Sequence, residues 1–131
     1  MEDMQKKYME YQMLDQRIKQ MQEQLQMVDQ QTMEAMATLQ SIDEFSKLQD
    51  KSEILVPINN GIFAKATLKK EEKLRVNIGS AVVVDKTVQQ TKKLIEKQTE
   101  QIAELREKII ENLNQLVQQA ANIEKSLTKN V

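Results

Sequence analysis

The sequence predicts a mainly α protein of the α+β class, in which a long antiparallel coiled-coil helical hairpin is joined by two β-hairpins. Two stretches, residues 1–50 and 87–131, repeat their apolar residues at helical spacings, while residues 51–86 alternate with a period of two. With 30% charged and 3% aromatic residues, the composition is typical of long solvated helices rather than of an enzyme core. We therefore expect one domain of residues 1–131: a helix over 1–50, two β-hairpins over 51–86 and a helix over 87–131.

The first helix is predicted from a narrow apolar seam. Residues 1–50 contain neither Gly nor Pro, and apolar residues recur three, four or seven positions apart. A seam held over more than four heptads is typical of one strand of a coiled coil. It consists of Met4, Tyr11, Leu14, Ile18, Met21, Leu25, Val28, Ala35, Leu39 and Ile42.

The second helix carries a matching face. Thr87 followed by Gln90 fits a capping box, which predicts that the helix starts there. Leu105, Ile109 and Leu113 are each four residues apart, which predicts a stutter that locally unwinds the supercoil. The whole face consists of Ile95, Ile102, Leu105, Ile109, Leu113, Leu116, Ala120, Ile123 and Leu127.

Charge favours pairing of these two helices with each other. Residues 1–50 hold ten acidic and five basic side chains, whereas residues 86–131 hold six acidic and eight basic ones. Opposite net charge disfavours self-pairing of either helix. An intramolecular antiparallel hairpin is the expected result.

The middle segment, opening with ILVPINNGIFAKATL at residues 54–68, follows strand rules. Asn59–Asn60–Gly61 and Gly79–Ser80 are turn signals between β-branched runs. Isolated two-stranded hairpins are marginal in water, and their open edges and apolar faces need other subunits. The expected oligomerisation residues are Ile54, Val56, Ile58, Ile62, Ala64, Ala66, Leu68, Leu74, Val76, Ile78, Val82 and Val84.

Several classes of function are disfavoured by composition. The chain has no Cys and no His, which removes thiolate nucleophiles, the usual zinc sites and the commonest general base. It also has no phosphate-binding loop and no pair of carboxylates that a scaffold would hold together. We therefore expect that the protein is not an enzyme and that it has no catalytic residue, metal or cofactor. Short Lys pairs do not make a nucleic-acid surface, and no window has the ~20 apolar residues of a membrane span. We expect a soluble, cytoplasmic protein with neither nucleic acid nor membrane as partner.

The central motifs resemble a known family. Leu55-Val56-Pro57-Ile58-Asn59-Asn60-Gly61-Ile62-Phe63-Ala64-Lys65-Ala66 and Val76-Asn77-Ile78-Gly79-Ser80-Ala81-Val82-Val83-Val84-Asp85-Lys86, set between long helices, look like an archaeal-type α subunit of prefoldin. The resemblance implies a heterohexamer of two α-type and four β-type subunits, whose hairpins form a double β-barrel platform. It also implies ATP-independent capture of unfolded client proteins at the coiled-coil tips and their transfer to a group II chaperonin.

The residues themselves offer a candidate client surface. All eight Met residues lie within the first 36 positions, and Met9 falls nearly opposite the seam with Met13 and Tyr8 on its flanks. Exposed Met side chains can repack around varied apolar sequences. In an antiparallel hairpin, the C-terminal residues of the second helix would lie beside these side chains and add to the same surface. The candidate client-binding residues are Met1, Met4, Tyr8, Met9, Tyr11, Met13, Val117, Ala120, Ala121, Ile123, Leu127 and Val131.

Two alternatives remain open at this point. Isolated apolar side chains are normal on protein surfaces. Met27 is also off the seam but lies far from the tip, so an off-seam Met need not bind a client. The same helical hairpin could also serve a scaffold or adaptor that binds one folded partner or builds filaments. Promiscuous binding of unfolded chains would distinguish the chaperone from the scaffold.

Overall fold

The computed structural model describes residues 2–71 and 73–129. Its elements are, in chain order, α1 (Glu2–Lys47), β1 (Glu53–Asn59), β2 (Ile62–Thr67), β3 (Lys73–Gly79), β4 (Val82–Thr87) and α2 (Val88–Lys129). The predicted α+β class, with two long helices and two β-hairpins, is confirmed. Among the described residues, no helix is both long and apolar enough to cross a membrane.

The seam of α1 follows the heptad pattern. From Tyr11 to Ile42, every position reached by alternating steps of three and four is buried or partly buried. Thr32, a polar residue, occupies one of these positions, and its Oγ1 donates to the carbonyl oxygen of Val28 at 3.0 Å. The helix therefore buries one narrow stripe, as a coiled-coil strand does.

The seam of α2 corrects one prediction. Positions that alternate by three and four from Ile95 to Leu127 are buried or partly buried except Arg106, which is exposed, and this series does not include Leu105. Leu105 is 48% exposed. Ile102, Ile109 and Leu116, each seven residues apart, are buried or partly buried, so the seam omits the exposed Leu105 and the stutter inferred from it is wrong.

Contacts divide the chain into two compact units. The first contains the described parts of residues 1–34 and 99–131, and the second contains residues 35–98. In the second unit the end of α1 and the start of α2 bury Ile42, Thr91 and Ile95, and Asp43 forms an ion pair with Lys92.

The two β-hairpins have the same register. β1 pairs with β2 and β3 with β4, both antiparallel, and each strand begins 20 residues after its counterpart. Every pair in the first ladder has an equivalent 20 residues later, including the shift in register at Ile58 and Ile78. The hairpins are therefore a structural repeat, although their side chains differ.

The two turns reach their geometry with different residues. Gly61 closes the first turn at φ +73°. The second turn has positive φ at Gly79, Ser80 and Ala81, with values of +51° for Ser80 and +60° for Ala81. A left-handed residue with a Cβ costs roughly 1–2 kcal/mol, so the second turn is strained where the first is not.

The loop between the hairpins is attached to the end of α1. Lys70 Nζ donates to the carbonyl oxygens of Ser46 at 3.0 Å and Leu48 at 2.5 Å, and Lys70 N donates to Asp50 Oδ1 at 2.9 Å. A cation at unpaired carbonyl groups is favourable at a helix C-terminus. Lys70 therefore holds the loop against the C-terminal end of α1.

The predicted capping box is present at the start of α2. Thr87 N donates to Gln90 Oε1 at 3.0 Å, and Gln90 N donates back to Thr87 Oγ1 at 3.1 Å. This reciprocal pair satisfies two backbone donors where the β-structure ends. The change from strand to helix is thus encoded in four residues.

Relief of turn strain gives a first prediction. Ala81→Gly should raise the free energy of unfolding by about 1 kcal/mol, because Gly adopts φ +60° without a steric cost. Gly61→Ala should lower it by a similar amount, since a Cβ there meets nothing within 4 Å and only the backbone angle is penalised. Urea unfolding at one fixed protein concentration measures both.

Ala103→Gly, at an exposed position of α2, is the matched control for the turn variants. The same chemical change in a helix should destabilise by about 1 kcal/mol. Destabilisation by Ala81→Gly would contradict the left-handed turn.

The capping box gives a second prediction. Thr87→Ala should lower the free energy of unfolding by about 1 kcal/mol, because it removes the acceptor for Gln90 N. Thr87→Ser keeps the hydroxyl and should retain most of the stability. Equal losses for the two variants in urea unfolding would mean that the threonine methyl group, rather than the cap, matters.

Candidate functional site

The candidate site lies where the beginning of α1 packs against the end of α2. Lys7 Nζ donates to Ser126 Oγ at 2.6 Å, and Arg106 Nε donates to Asp29 Oδ1 at 2.7 Å. The residue numbers of the contacts increase along α1 while they decrease along α2, so the helices are antiparallel, as predicted. The described residues near both termini therefore lie side by side.

Burial in this unit is concentrated away from the termini. Val28, Ile109 and Leu116 are buried, whereas Met4, Ile123 and Leu127 are only partly covered. Near the ends the seam thus leaves apolar surface accessible.

The first groove lies along one side of α1. It is an open, mainly apolar depression of about 470 Å³, to which α1 contributes Met13 and Leu14 and α2 contributes Ile123. Polar side chains complete its walls: Glu10, Arg17, Gln119 and Asn122. Met13, with 64% of its surface exposed, is the most accessible apolar group named in this groove.

The second groove lies closer to the chain ends. It has a volume of about 460 Å³ and is lined by Met4, Gln5, Tyr8 and Met9 of α1 and Leu127 of α2. Met9 is 63% exposed, and Tyr8 is also exposed. Two neighbouring apolar grooves therefore share the first four turns of α1.

The structure brings together part of the predicted client surface. Six of the twelve candidates line the grooves: Met4, Tyr8, Met9 and Leu127 in one, Met13 and Ile123 in the other. Tyr11 and Ala120 are partly buried, Ala121 and Val117 are exposed, and these four line neither groove. Met1 and Val131 lie outside the described residues.

The polar residues in the wall of the first groove were not predicted from the sequence. Glu10 and Arg17 lie three and four residues from Met13 on the same helix, a spacing that marks neighbours on a helix surface. That spacing was available in the sequence. The contribution of Gln119 and Asn122 required the register between the two helices, which the sequence predicts only in direction.

A second exposed apolar surface covers the β-hairpins. Of the predicted oligomerisation residues, Val56, Ile58, Ile62, Ile78 and Val82 are exposed. The remaining predicted residues are partly buried: Ile54, Ala64, Ala66, Leu68, Leu74, Val76 and Val84.

Three further exposed apolar residues of the hairpins were not predicted. Leu55, Phe63 and Val83 lie on the other face of their strands, since strand neighbours alternate between faces. The first hairpin is consequently apolar on both faces. The second carries the ion pair of Arg75 with Asp85, at 3.9 Å, where the first has Leu55 and Lys65.

The described residues contain no cluster of three His, Cys, Asp or Glu side chains that could hold a metal ion. All buried side-chain N and O atoms in the described part of the chain have hydrogen-bond partners. The chemistry that the grooves and hairpins offer is therefore apolar and backbone-mediated contact.

Two long antiparallel helices joined by a pair of β-hairpins with uncovered apolar faces define a class of subunits that work in oligomers. A family model described as "Prefoldin subunit" matches residues 14–131, and the chain belongs to the prefoldin family. Relatives named "Prefoldin subunit alpha" match nine-tenths or more of its length, and the chain is an α-type subunit. Members of this family are chaperone subunits that assemble with other prefoldin subunits.

Several curated relatives have the name "Prefoldin subunit alpha". The protein of Thermofilum pendens is 30% identical over 118 residues, covering 90% of this chain and 92% of the relative. That of Archaeoglobus fulgidus is 28% identical over 125 residues, covering 95% and 91%. These matches extend through both helices as well as the hairpins.

A solved structure has the same fold. The filamentous PFD from Methanocaldococcus jannaschii, determined by cryo-electron microscopy, superposes with a TM-score of 0.81 at 16% identity. The match covers 93% of this chain and 98% of that one. At this level of identity the likeness establishes the fold alone.

Proposed function

We propose that this chain is a subunit of an ATP-independent holdase that captures unfolded proteins in the two grooves near its termini. The observation that carries the proposal is the exposure of Met9 and Met13, one in each groove, beside polar walls. In the proposed role the grooves hold short apolar stretches of a client until it is released.

The composition of the grooves suits varied clients. Met has three rotatable bonds and a polarizable sulfur, so it adapts to side chains of different shape. Each groove is open to solvent, so one contact buries little apolar surface and is weak at ~25 cal/mol per Å² buried. Several linked subunits would raise the overall affinity by increasing the effective concentration of the second site.

The assembly is proposed from the family. We infer a heterohexamer of two α-type and four β-type subunits, joined through the β-hairpins, that acts in the cytoplasm and passes clients to a group II chaperonin. The uncovered apolar faces of the hairpins and the α-type names of the relatives support this assignment.

A scaffold is the second candidate. The structural neighbour from M. jannaschii is described as filamentous, and the hairpins of the present chain leave strand edges unpaired among the described residues. Copies of this chain could then join one another through their hairpins and form a filament that binds one folded partner.

The native mass separates the two candidates and is a third prediction. The chain should form a defined hexamer only when it is co-expressed with a β-type prefoldin subunit from the same source, as measured by native mass spectrometry. A filament or ring of this chain alone, with the same mass whether or not the β-type subunit is present, would favour the scaffold.

Substitution in the grooves gives a fourth prediction. The double variant Met9→Ser and Met13→Ser should reduce suppression of client aggregation several-fold for unrelated unfolded clients, because apolar contact is lost in both grooves. The mass of the assembly should not change.

Met27 and Met33 provide the matched control for this experiment. They lie on the same helix, are 61% and 72% exposed, and line neither groove. Met27→Ser with Met33→Ser should leave suppression intact. Equal effects of the two double variants, or no effect of the first, would remove the grooves from client binding.

A further inference from the structure

Arg17 has no charged partner in the part of the chain that the structure describes. Lys19, two positions further along α1, pairs with Asp15 at 3.2 Å. By contrast, no ion pair or hydrogen bond within residues 2–71 and 73–129 includes the guanidinium group of Arg17. Its N–H donors are therefore available to a bound molecule.

Arg17 lies where two depressions of the helix pair meet. One is the first groove, whose apolar lining residues are Met13, Leu14 and Ile123. The other, which we call the side groove, has a volume of about 280 Å³ and shares Arg17 and Gln119 with the first groove. The remaining lining residues of the side groove are Met21, Asn112, Gln115 and Leu116. A molecule in the first groove can thus reach both Arg17 and the carboxamide groups of α2.

The sequence around Arg17 explains why the guanidinium group is unpaired. Residues three and four positions apart are neighbours on a helix surface. On α1 these neighbours are all uncharged: Met13, Leu14, Gln20 and Met21. On α2, residues 112–123 contain no Asp, Glu, Lys or Arg, and this stretch supplies the α2 side of both depressions. A carboxylate partner for Arg17 therefore has to come from another molecule.

The groups around Arg17 fit a carboxylate. Both oxygens of a carboxylate accept hydrogen bonds, and the planar fork of a guanidinium group can donate to both at once. The carboxamides of Gln119 and Asn122, in the wall of the same groove, offer further N–H donors. The site therefore combines one permanent positive charge with several neutral donors.

Glu10 gives the first groove a direction. It lines the same groove seven residues before Arg17, which is about 10 Å along the helix axis at ~1.5 Å per residue. Its carboxylate would repel an acidic group placed at that end, and like-charge repulsion of this kind excludes wrong arrangements. The two ends of the groove thus differ in charge.

We propose that the first groove selects apolar client segments that are flanked by an acidic side chain, whose carboxylate binds Arg17. This inference rests on the proposed capture of unfolded proteins and specifies which clients the groove prefers. The apolar residues of the client would contact Met13 and Ile123 while its Asp or Glu reaches Arg17. The second groove has no charged residue in its described lining, so it should not share this preference.

Two matched peptides test the preference on the full chain. The Asp probe has a Leu- and Val-rich stretch followed by one Asp, and its blocked termini leave that Asp as its only carboxylate. The Asn probe differs only by Asn in place of Asp. Isothermal titration calorimetry should give a Kd for the Asp probe that is about three- to fivefold lower, the range of a partly exposed ion pair.

Arg17 and Lys19 supply the variant and its control. Arg17→Gln should abolish the preference for the Asp probe, whereas Lys19→Gln should keep it. Both substitutions remove one positive charge from an exposed position of α1, but only Arg17 lines the groove. Arg17→Glu should reverse the preference, so that a third probe with Lys in place of Asp binds more tightly than the Asp probe.

The outcomes separate this inference from the proposed function. A wild-type chain that binds none of the probes contradicts client capture in the grooves. Equal binding of the Asp and Asn probes, or a preference that survives Arg17→Gln or is lost equally with Lys19→Gln, overturns the role of Arg17 while the capture of apolar segments stands. If Arg17→Gln binds no probe, Arg17→Glu decides: binding of the Lys probe supports the inference, and its absence overturns it.

Discussion

The narrow seam between α1 and α2 is the constraint on which the rest of the molecule depends. A two-helix interface buries one stripe on each helix, and among the described residues only five apolar side chains are buried, none of them completely: Val28, Ile42, Ile95, Ile109 and Leu116. No further layer of the described structure covers the other apolar groups. They stay accessible in the grooves and on the β-hairpins, and those surfaces are the ones available for function.

Polar contacts along the seam set register more than stability. Arg106 occupies a seam position of α2 and pairs with Asp29, and Lys92 pairs with Asp43 in the other compact unit. Partly exposed ion pairs of this kind contribute roughly 0–1 kcal/mol each. They do, however, favour one alignment of an acidic helix beside a basic one, because a shift by one heptad would separate every pair.

The two exposed surfaces differ in the stiffness of their side chains. The grooves present Met9 and Met13, which adopt many conformations, whereas the hairpins present β-branched Val and Ile with restricted rotamers. A flexible surface can adapt to apolar groups of different shape, whereas a stiff surface suits one complementary shape. The two hairpins repeat one register, yet their exposed faces differ.

The sequence by itself determined the element types, the helix faces and the capping box, because these depend on spacing within short segments. Met9 and Met13 could be selected from their helical angle alone. It did not determine that Leu105 leaves the seam in favour of Arg106, since a charged residue at a seam position is recognised only beside its partner, Asp29. Nor did it give the α2 part of the groove wall, Gln119 and Asn122, because that part needs the register between the two helices. Local spacing fixes what a segment forms, while the pairing of segments distant in sequence decides which side chains and backbone groups remain free to bind.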